Sequence, residues 1–332
     1  MVKGIKGDKR ISPLVMRLAD FIRLTSSSLP DDAERALKRA LRREAPNSPA
    51  RTVLKTILDN VALARRNGTP VCQDTGTLTF FVAESLRRKV TPEILGQAVR
   101  IATEKGWLRR NTIDPISGKS IDSNVCPGAP VVHYVDSTAH LFSRSGVSRL
   151  SSGTRISRTS RTSSASSQSI LHGIVNDSGQ ISLLMKGGGS ENMSMQFSLP
   201  DAALGAGRDL EGVRRAVLAA VQHAQGFGCA PGILGVAIGG DRASGFEEAK
   251  LQLLRNLDDT SPDPRLARLE RRILREANSL GIGPMGLGGK TTLLAVKIGA
   301  RPRVPASFFV TVAYLCWAAR RRVLQELKSL KV

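Results

Sequence analysis

The chain has 332 residues, of which 41% are hydrophobic, and it carries a formal net charge of +21. This length and composition are sufficient for one large domain or two smaller ones with real cores. They exclude a membrane protein, because no apolar run is long enough to span a bilayer, and the basic N-terminus lacks the apolar core of a secretory signal. Four scattered cysteines are too few for a disulfide scaffold, so we expect a cytoplasmic protein with reduced thiols.

The positive charge raises nucleic acid or an anionic surface as a partner. Aromatic residues make up only 4% of the chain, which leaves little for the stacking of bases. Nucleic acid is therefore disfavoured as a partner, whereas a small anionic substrate or an acidic partner subunit fits the same sign of charge.

Predicted helices and short buried strands alternate along the chain. Residues 1–50 are predicted to be a helical lead-in. A helix with Leu54, Ile57 and Val61 on one face follows, and then come a strand at 78–82, a helix at 92–105, strands at 131–135 and 181–185, a helix at 211–225, a strand at 233–238, helices at 246–256 and 264–279, a strand at 293–298 and an apolar run at 307–322. This order predicts an α/β fold, with a mixed sheet flanked by helices and with glycine-rich loops.

One segment differs from the rest of the chain. Residues 143–169 contain 12 Ser, 5 Arg and 3 Thr and no acidic residue. Such a composition cannot bury a core, so we predict a disordered, low-complexity insertion at about 138–175. An arginine/serine segment can bind RNA, but an inert insertion is the simpler interpretation.

Cys72, Gln73 and Asp74 stand side by side on a loop between a predicted helix and a predicted strand. Loops of this kind commonly carry chemistry. A thiol, an amide and a carboxylate can bind a metal and a polar ligand, but the same residues fit an ordinary turn with a buried cysteine.

Two further loops carry candidate residues. Arg109 and Arg110 lie on a loop at 107–119. Two neighbouring arginines fit either a binding site for an anion or a pair of solvated surface side chains. Three consecutive glycines follow Lys186, namely Gly187, Gly188 and Gly189. Their backbone N–H groups allow close approach of an anion, although a flexible turn has the same composition.

Cys72, Cys229 and Cys316 each lie in a distinctive setting, far apart in sequence, and no CxxC pair is present. A zinc ribbon or a ferredoxin-type cluster is therefore disfavoured. Three isolated cysteines suit a cluster that is held by three thiolates and leaves one iron free to act as a Lewis acid.

Six motifs then occur in a characteristic order: VCQDTGT, LRRNTIDPI, MKGGGSEN, CAPGILGVAIGG, LGIGPMGLGGKT and CWAARR. Together they resemble the α subunit of the two-subunit class I (iron–sulfur) fumarate hydratases and L(+)-tartrate dehydratases. The resemblance covers roughly residues 30–325 apart from the insertion, and it implies that 51–325 is an iron–sulfur hydro-lyase α domain.

The resemblance implies a [4Fe-4S] cluster with Cys72, Cys229 and Cys316 as its ligands. It also implies that Gln73 and the catalytic Asp74 face a small dicarboxylate substrate, that Arg109 pairs with a substrate carboxylate, and that the loop Lys186, Gly187, Gly188 and Gly189 lines the pocket. The family draws its catalytic base largely from a β subunit or second domain, so we expect this chain to be inactive alone.

The motif GGGSEN favours fumarate as the substrate over L(+)-tartrate. Two further interpretations stay open: an inactive, degraded family member, and a basic nucleic-acid-binding protein without a cluster. SerIleAsp at 120–122 replaces the AsnThrGly that is usual in the family, and we do not expect the nearby Cys126 to be a ligand.

Overall fold

The computed structural model describes residues 11–135 and 179–325, and the predicted Ser/Arg insertion lies outside these ranges. The helices in them are α1 (Pro13–Ser27), α2 (Asp31–Arg43), α3 (Pro49–Asn67), α4 (Pro92–Glu104), α5 (Gly188–Asn192), α6 (Leu210–Ala224), α7 (Arg242–Gln252) and α8 (Pro264–Ser279). The strands are β1 (Thr77–Ala83), β2 (Val131–Val135), β3 (Ile181–Lys186), β4 (Met195–Ser198), β5 (Gly232–Gly239), β6 (Leu293–Arg301), β7 (Phe309–Leu315) and β8 (Arg320–Leu324).

The strands form two mixed sheets of four strands each. The first has the order β2-β1-β3-β8, in which only β1 and β2 are parallel. The second has the order β4-β7-β5-β6, in which only β5 and β6 are parallel. The predicted α/β class is confirmed, with the strands divided between two sheets.

Side chains along a strand point alternately to the two faces of its sheet. Each sheet therefore has an apolar cluster on each face, and the two sheets share one of the three clusters. In β1, Phe80 and Val82 face a cluster that includes α1 and α4, whereas Phe81 faces the opposite way, toward α2 and α3. In β5, Ile233 joins this second cluster, and Leu234 faces a third cluster with α6 and α8. The second cluster therefore lies between the sheets, and we refer to it as the middle core.

The predicted helical segment at 1–50 contains α1 and α2. Both helices bury an apolar face, with Leu18 and Ile22 of α1 and Leu37 of α2 fully covered. The division into a lead-in and a domain that begins at residue 51 stays a prediction. Within the described residues, every helix is too short or too polar to cross a bilayer.

A buried ionic network joins the end of α7 to α8 and β6. The Arg255 guanidinium, with a fully buried side chain, donates to Glu270 Oε1 at 2.8 Å and to both carboxylate oxygens of Asp259 at 2.8 and 3.0 Å. Lys297 Nζ, which is also buried, donates to Asp259 Oδ1 at 2.7 Å. The network leaves these buried charges paired, as burial requires.

Replacing Arg255 with methionine is expected to lower the free energy of unfolding by about 3–5 kcal/mol, because the change leaves Glu270 buried without its cation. Urea denaturation of the two proteins measures the difference. Arg35→Met removes an exposed guanidinium that pairs with Asp258 at 2.9 Å, and it should cause a much smaller loss. Equal losses in the two variants would contradict this assignment.

Candidate functional site

Cys72 lies on the loop that connects α3 to β1. The helix ends at Gly68, whose φ of 64° turns the chain out of the helix. Val71 is then held by both backbone groups, because its N–H donates to the Ser26 carbonyl at 2.9 Å and its carbonyl accepts from Asn60 Nδ2 at 2.9 Å. These contacts fix the direction in which Cys72 leaves the helix.

Cys229 and Cys316 are tied together through the backbone. Cys229 follows α6 on a tight loop, with a φ of 55°, and its N–H donates to the Gly226 carbonyl at 3.0 Å. Cys316 directly follows β7 and is 7% exposed. The N–H of Trp317 donates to the Cys229 carbonyl at 3.2 Å, which holds the two loops side by side.

All three predicted ligands come together at the middle core. Cys316 belongs to it, and Cys72 and Cys229 pack against it. The pKa of the Cys316 thiol is raised to about 11, chiefly by burial and further by the nearby Cys72 and Cys229. Burial also raises the pKa of Cys229, with smaller contributions from Cys72 and Asp74. The three cysteines, separated by long stretches of sequence, therefore meet at one place in the fold.

The donor set fits an iron–sulfur cluster. Within residues 11–135 and 179–325, no group of three or more His, Cys, Asp or Glu side chains is arranged to hold one metal ion. A cluster does not need this, because each cysteine binds its own iron. Soft thiolates select clusters of this kind, and a bound metal would deprotonate thiols that burial otherwise keeps neutral.

Asp74 is held firmly on the same loop. Its Oδ1 accepts from the Gly76 N–H at 2.8 Å and from Asn111 Nδ2 at 2.9 Å, and its Oδ2 accepts from the Gly188 N–H at 2.6 Å. An ionised carboxylate offers about four acceptor positions, so these contacts leave about one for another partner. Asp74 can therefore accept a hydrogen bond from a bound molecule without being free to move.

The glycine-rich segment approaches the cysteine loop very closely. Gly76 has a φ of 73°, and a Cβ added there would lie 2.4 Å from the Lys186 carbonyl oxygen. A Cβ on Gly187 would lie 2.9 Å from Asp74 Oδ2. At Gly76 only glycine allows both the conformation and the approach, whereas at Gly187 an added Cβ would displace the Asp74 carboxylate. The predicted glycine-rich loop begins a short helix, α5, whose first N–H group, that of Gly188, donates to Asp74.

Lys186 is turned inward. Its side chain is 1% exposed, forms an ion pair with Glu191 and donates to Ser194 Oγ at 3.0 Å. Burial lowers the pKa of its ammonium to about 8, although Glu191 opposes the change. Lys250 pairs with the same Glu191 at 2.6 Å. These contacts fix α5 from within the protein.

Gln73 and Arg109 lie at the exposed side of the site. Gln73 Oε1 is 3.7 Å from the Cys72 sulfur, which donates to it. Arg109 is exposed, and its backbone carbonyl accepts from Thr75 Oγ1 at 2.9 Å and from Asn124 Nδ2 at 2.8 Å. The backbone of Arg109 is thus locked to the cysteine loop, while its guanidinium extends to the surface.

A cavity of about 230 Å³ opens beside Asp74. Gly188 and Asn111 line it together with Thr112 and Asn124, and their donors already bond Asp74 or neighbouring groups. The cavity thus adjoins the free acceptor position of the Asp74 carboxylate.

Sequence reasoning missed two residues of this site. Asn111 reaches Asp74 across 37 positions, and Arg320 donates through Nη1 to the Asp74 carbonyl at 2.6 Å across 246 positions. Both lie in motifs that were singled out, LRRNTIDPI and CWAARR. The motifs were the available signal, but they do not show which side chain turns inward.

Comparison with known proteins decides the family. The model of the family described as fumarate hydratase (fumerase) matches residues 15–141 and 154–325. The chain belongs to the fumarate hydratase family. The predicted resemblance is confirmed.

Named relatives divide between two activities. The chain is 40% identical over 302 residues to a putative fumarate hydratase class I of Geobacillus stearothermophilus, covering 90% of this chain and 52% of the relative. It is 30% identical over 320 residues to a putative L(+)-tartrate dehydratase subunit alpha of Methanocaldococcus jannaschii, covering 95% of this chain and 96% of that protein. It is 28% identical over 329 residues to an L(+)-tartrate dehydratase subunit alpha of Escherichia coli K12, covering 98% and 94%. This fumarate hydratase family member thus spans about half of the first relative and nearly all of the two alpha subunits.

Proposed function

We propose that this chain is the α subunit of an iron–sulfur hydro-lyase that reversibly hydrates fumarate to malate. The observation that carries the proposal is the meeting of Cys72, Cys229 and Cys316 beside the fixed carboxylate of Asp74. The three cysteines would hold a [4Fe-4S] cluster, whose open iron supplies a Lewis acid for the hydroxyl and carboxylate of the substrate.

The protein's own groups would bind and orient the diacid. The remaining acceptor position of Asp74 suits the substrate hydroxyl, and Asn111 keeps the carboxylate in place. The N–H group of Gly189 and the amide of Gln73 suit carboxylate oxygens, whereas the Gly188 N–H already donates to Asp74. Arg109 provides a permanent positive charge, with a fork geometry that matches a carboxylate.

A partner β subunit would complete the site with the catalytic base. Three apolar side chains are exposed on the loops around Cys229: Phe227 at 75%, Leu287 at 57% and Met285 at 41%. The two loops are in contact, since the Met285 N–H donates to the Ala230 carbonyl at 2.9 Å. An exposed apolar patch beside an incomplete site suits an interface with the missing subunit.

Phe227→Asp is expected to weaken binding of the β subunit by about 30-fold, as loss of a central aromatic contact does, and to leave the iron content unchanged. Titration calorimetry of the anaerobic proteins measures this. Val304→Asp changes another exposed apolar residue (65% exposed) beyond the opposite end of β6, and it should bind normally. Normal binding by the Phe227 variant would exclude this patch as the interface.

Fumarate is favoured over L(+)-tartrate because of the GGGSEN motif and the 40% identity to a putative fumarate hydratase. The alternative is a tartrate dehydratase α subunit, which the two alpha-subunit relatives support.

Anaerobic co-expression with a candidate β subunit, followed by assays on fumarate, malate and L-tartrate, tests the choice of substrate. A brown complex that hydrates fumarate faster than it dehydrates L-tartrate is expected. Colourless protein that binds RNA in a salt-dependent manner would favour the nucleic-acid alternative, and colourless protein with neither property would favour a degraded family member.

We also assign the protein to the cytoplasm. All four cysteines are free, and thiols that serve as iron ligands need a reducing compartment.

A further inference from the structure

A buried arginine at the start of β8 has donors that nothing in the described structure uses. The Arg320 side chain is 1% exposed. Its Nη1 donates to the carbonyl oxygens of Asp74 at 2.6 Å and Thr75 at 3.2 Å. Its Nε and Nη2 are both buried and have no hydrogen-bond partner among residues 11–135 and 179–325. A buried guanidinium with unsatisfied N–H groups is costly, so an acceptor is expected there.

One of the two unpaired nitrogens, Nη2, lies at the glycine-rich turn beside Asp74. A Cβ on Gly187 would lie 3.8 Å from Arg320 Nη2, and the same Cβ would lie 2.9 Å from Asp74 Oδ2. The Asp74 residue that Arg320 binds also donates its backbone N–H to the Cys72 sulfur at 3.5 Å. Arg320 thus lies between the Cys72–Thr75 loop and the glycine-rich turn, and it follows Cys316 in the CWAARR motif.

The next two arginines of the strand each have a buried Nε without a partner among the described residues, but their guanidinium groups make different contacts from that of Arg320. Arg321 forms an ion pair with the buried Asp32, and Arg322 donates to Ser28 Oγ at 2.8 Å. Both contacts lie near the start of α2. Among these three arginines, only Arg320 reaches the cysteine loop, and no ion pair joins it to a carboxylate within the described residues.

We infer that Arg320 donates N–H hydrogen bonds from Nε or Nη2 to the anionic cluster and at the same time anchors the Asp74 backbone. The inference rests on the proposed cluster. Hydrogen bonds to the sulfurs and nearby positive charge stabilise the reduced form of a cluster and raise its reduction potential. Arg320 therefore links the position of the substrate-facing carboxylate to the electronic state of the cluster.

Pulsed electron paramagnetic resonance tests the contact directly. The wild-type protein is reconstituted anaerobically, with arginine labelled with ¹⁵N only at its guanidino nitrogens, and the cluster is reduced to its paramagnetic state. We expect a ¹⁵N coupling that is absent in Arg320→Lys and kept in Arg321→Lys. A reduced wild-type cluster without this coupling, or a coupling that persists in Arg320→Lys, would overturn the inference.

A redox titration of the same proteins provides a second test. The midpoint potential of Arg320→Gln should be more negative than that of the wild type, because a positive charge is lost, whereas the potential of Arg321→Lys should not move. An unchanged potential in Arg320→Gln would overturn the inference even if the lysine variant fails to assemble a cluster. Iron and sulfide analysis separates failure of the Arg320 inference from failure of the proposed function. Wild-type protein without a cluster refutes the proposed function itself.

Discussion

Replacing Cys229 with serine is expected to remove the cluster and the hydratase activity together. A serine oxygen is a hard ligand that binds iron of this kind poorly, and two cysteines do not hold the cluster in place. Lewis-acid stabilisation contributes several kcal/mol to the transition state, and about 4 kcal/mol corresponds to a rate loss of about 10³-fold. The measurements are iron and sulfide content, absorbance near 400 nm, and fumarate hydration by the complex with the β subunit.

Cys126→Ser is the matched control for this variant. Cys126 is a free cysteine on a separate turn, where its backbone pairs with Ala129. The control should keep its iron, its colour and its activity. Full activity in Cys229→Ser, or loss of the cluster in Cys126→Ser, would show that the ligand assignment is wrong.

The second large effect is expected for Asp74→Asn, which should reduce turnover by on the order of 10²–10⁴-fold while the cluster remains. The amide removes the negative charge and turns one acceptor into a donor. Asp74 accepts three N–H groups, so a donor at this position conflicts with Gly76, Asn111 or Gly188. Initial rates with fumarate, together with the iron content of the same samples, separate a catalytic defect from loss of the cluster.

Asp122→Asn is a suitable control, because this exposed carboxylate lies on the neighbouring loop and accepts a side-chain hydrogen bond from Ser120 at 3.2 Å. Its turnover should match that of the wild type. If Asp74→Asn keeps both its cluster and its rate, the carboxylate has no role in the reaction.

Local sequence patterns predicted most of the helices and strands. The spacing of Leu54, Ile57 and Val61 identified α3, and the glycine and proline residues after it marked its end, because periodicity and chain breakers act over a few residues. The apolar run predicted at 307–322 contains β7 and the start of β8, which belong to different sheets. The short strand β4 and the one-turn helix α5 were not predicted. Both are too short for a period to be visible, and α5 begins with glycines that are typical of a turn.

The residues of the site were predicted only in part, because motifs are visible in the sequence whereas contacts between distant residues are not. The three cysteines could be selected because their motifs occur in a characteristic order along the chain. The contacts that shape the site could not, since Asn111 and Arg320 reach Asp74 only through the pairing of distant strands in the first sheet, where β8 lies two strands from β1. The inward position of Lys186 likewise depends on Glu191 and Ser194, which α5 and the start of β4 bring to it.

Mössbauer spectroscopy of protein reconstituted with ⁵⁷Fe tests the central assignment most directly. If Cys72, Cys229 and Cys316 are the only protein ligands of a [4Fe-4S] cluster, one iron in four should give a distinct signal, and that signal alone should change when malate is added to the complex with the β subunit. Four equivalent irons that do not respond to malate, or wild-type protein that takes up no iron under these conditions, would contradict the assignment.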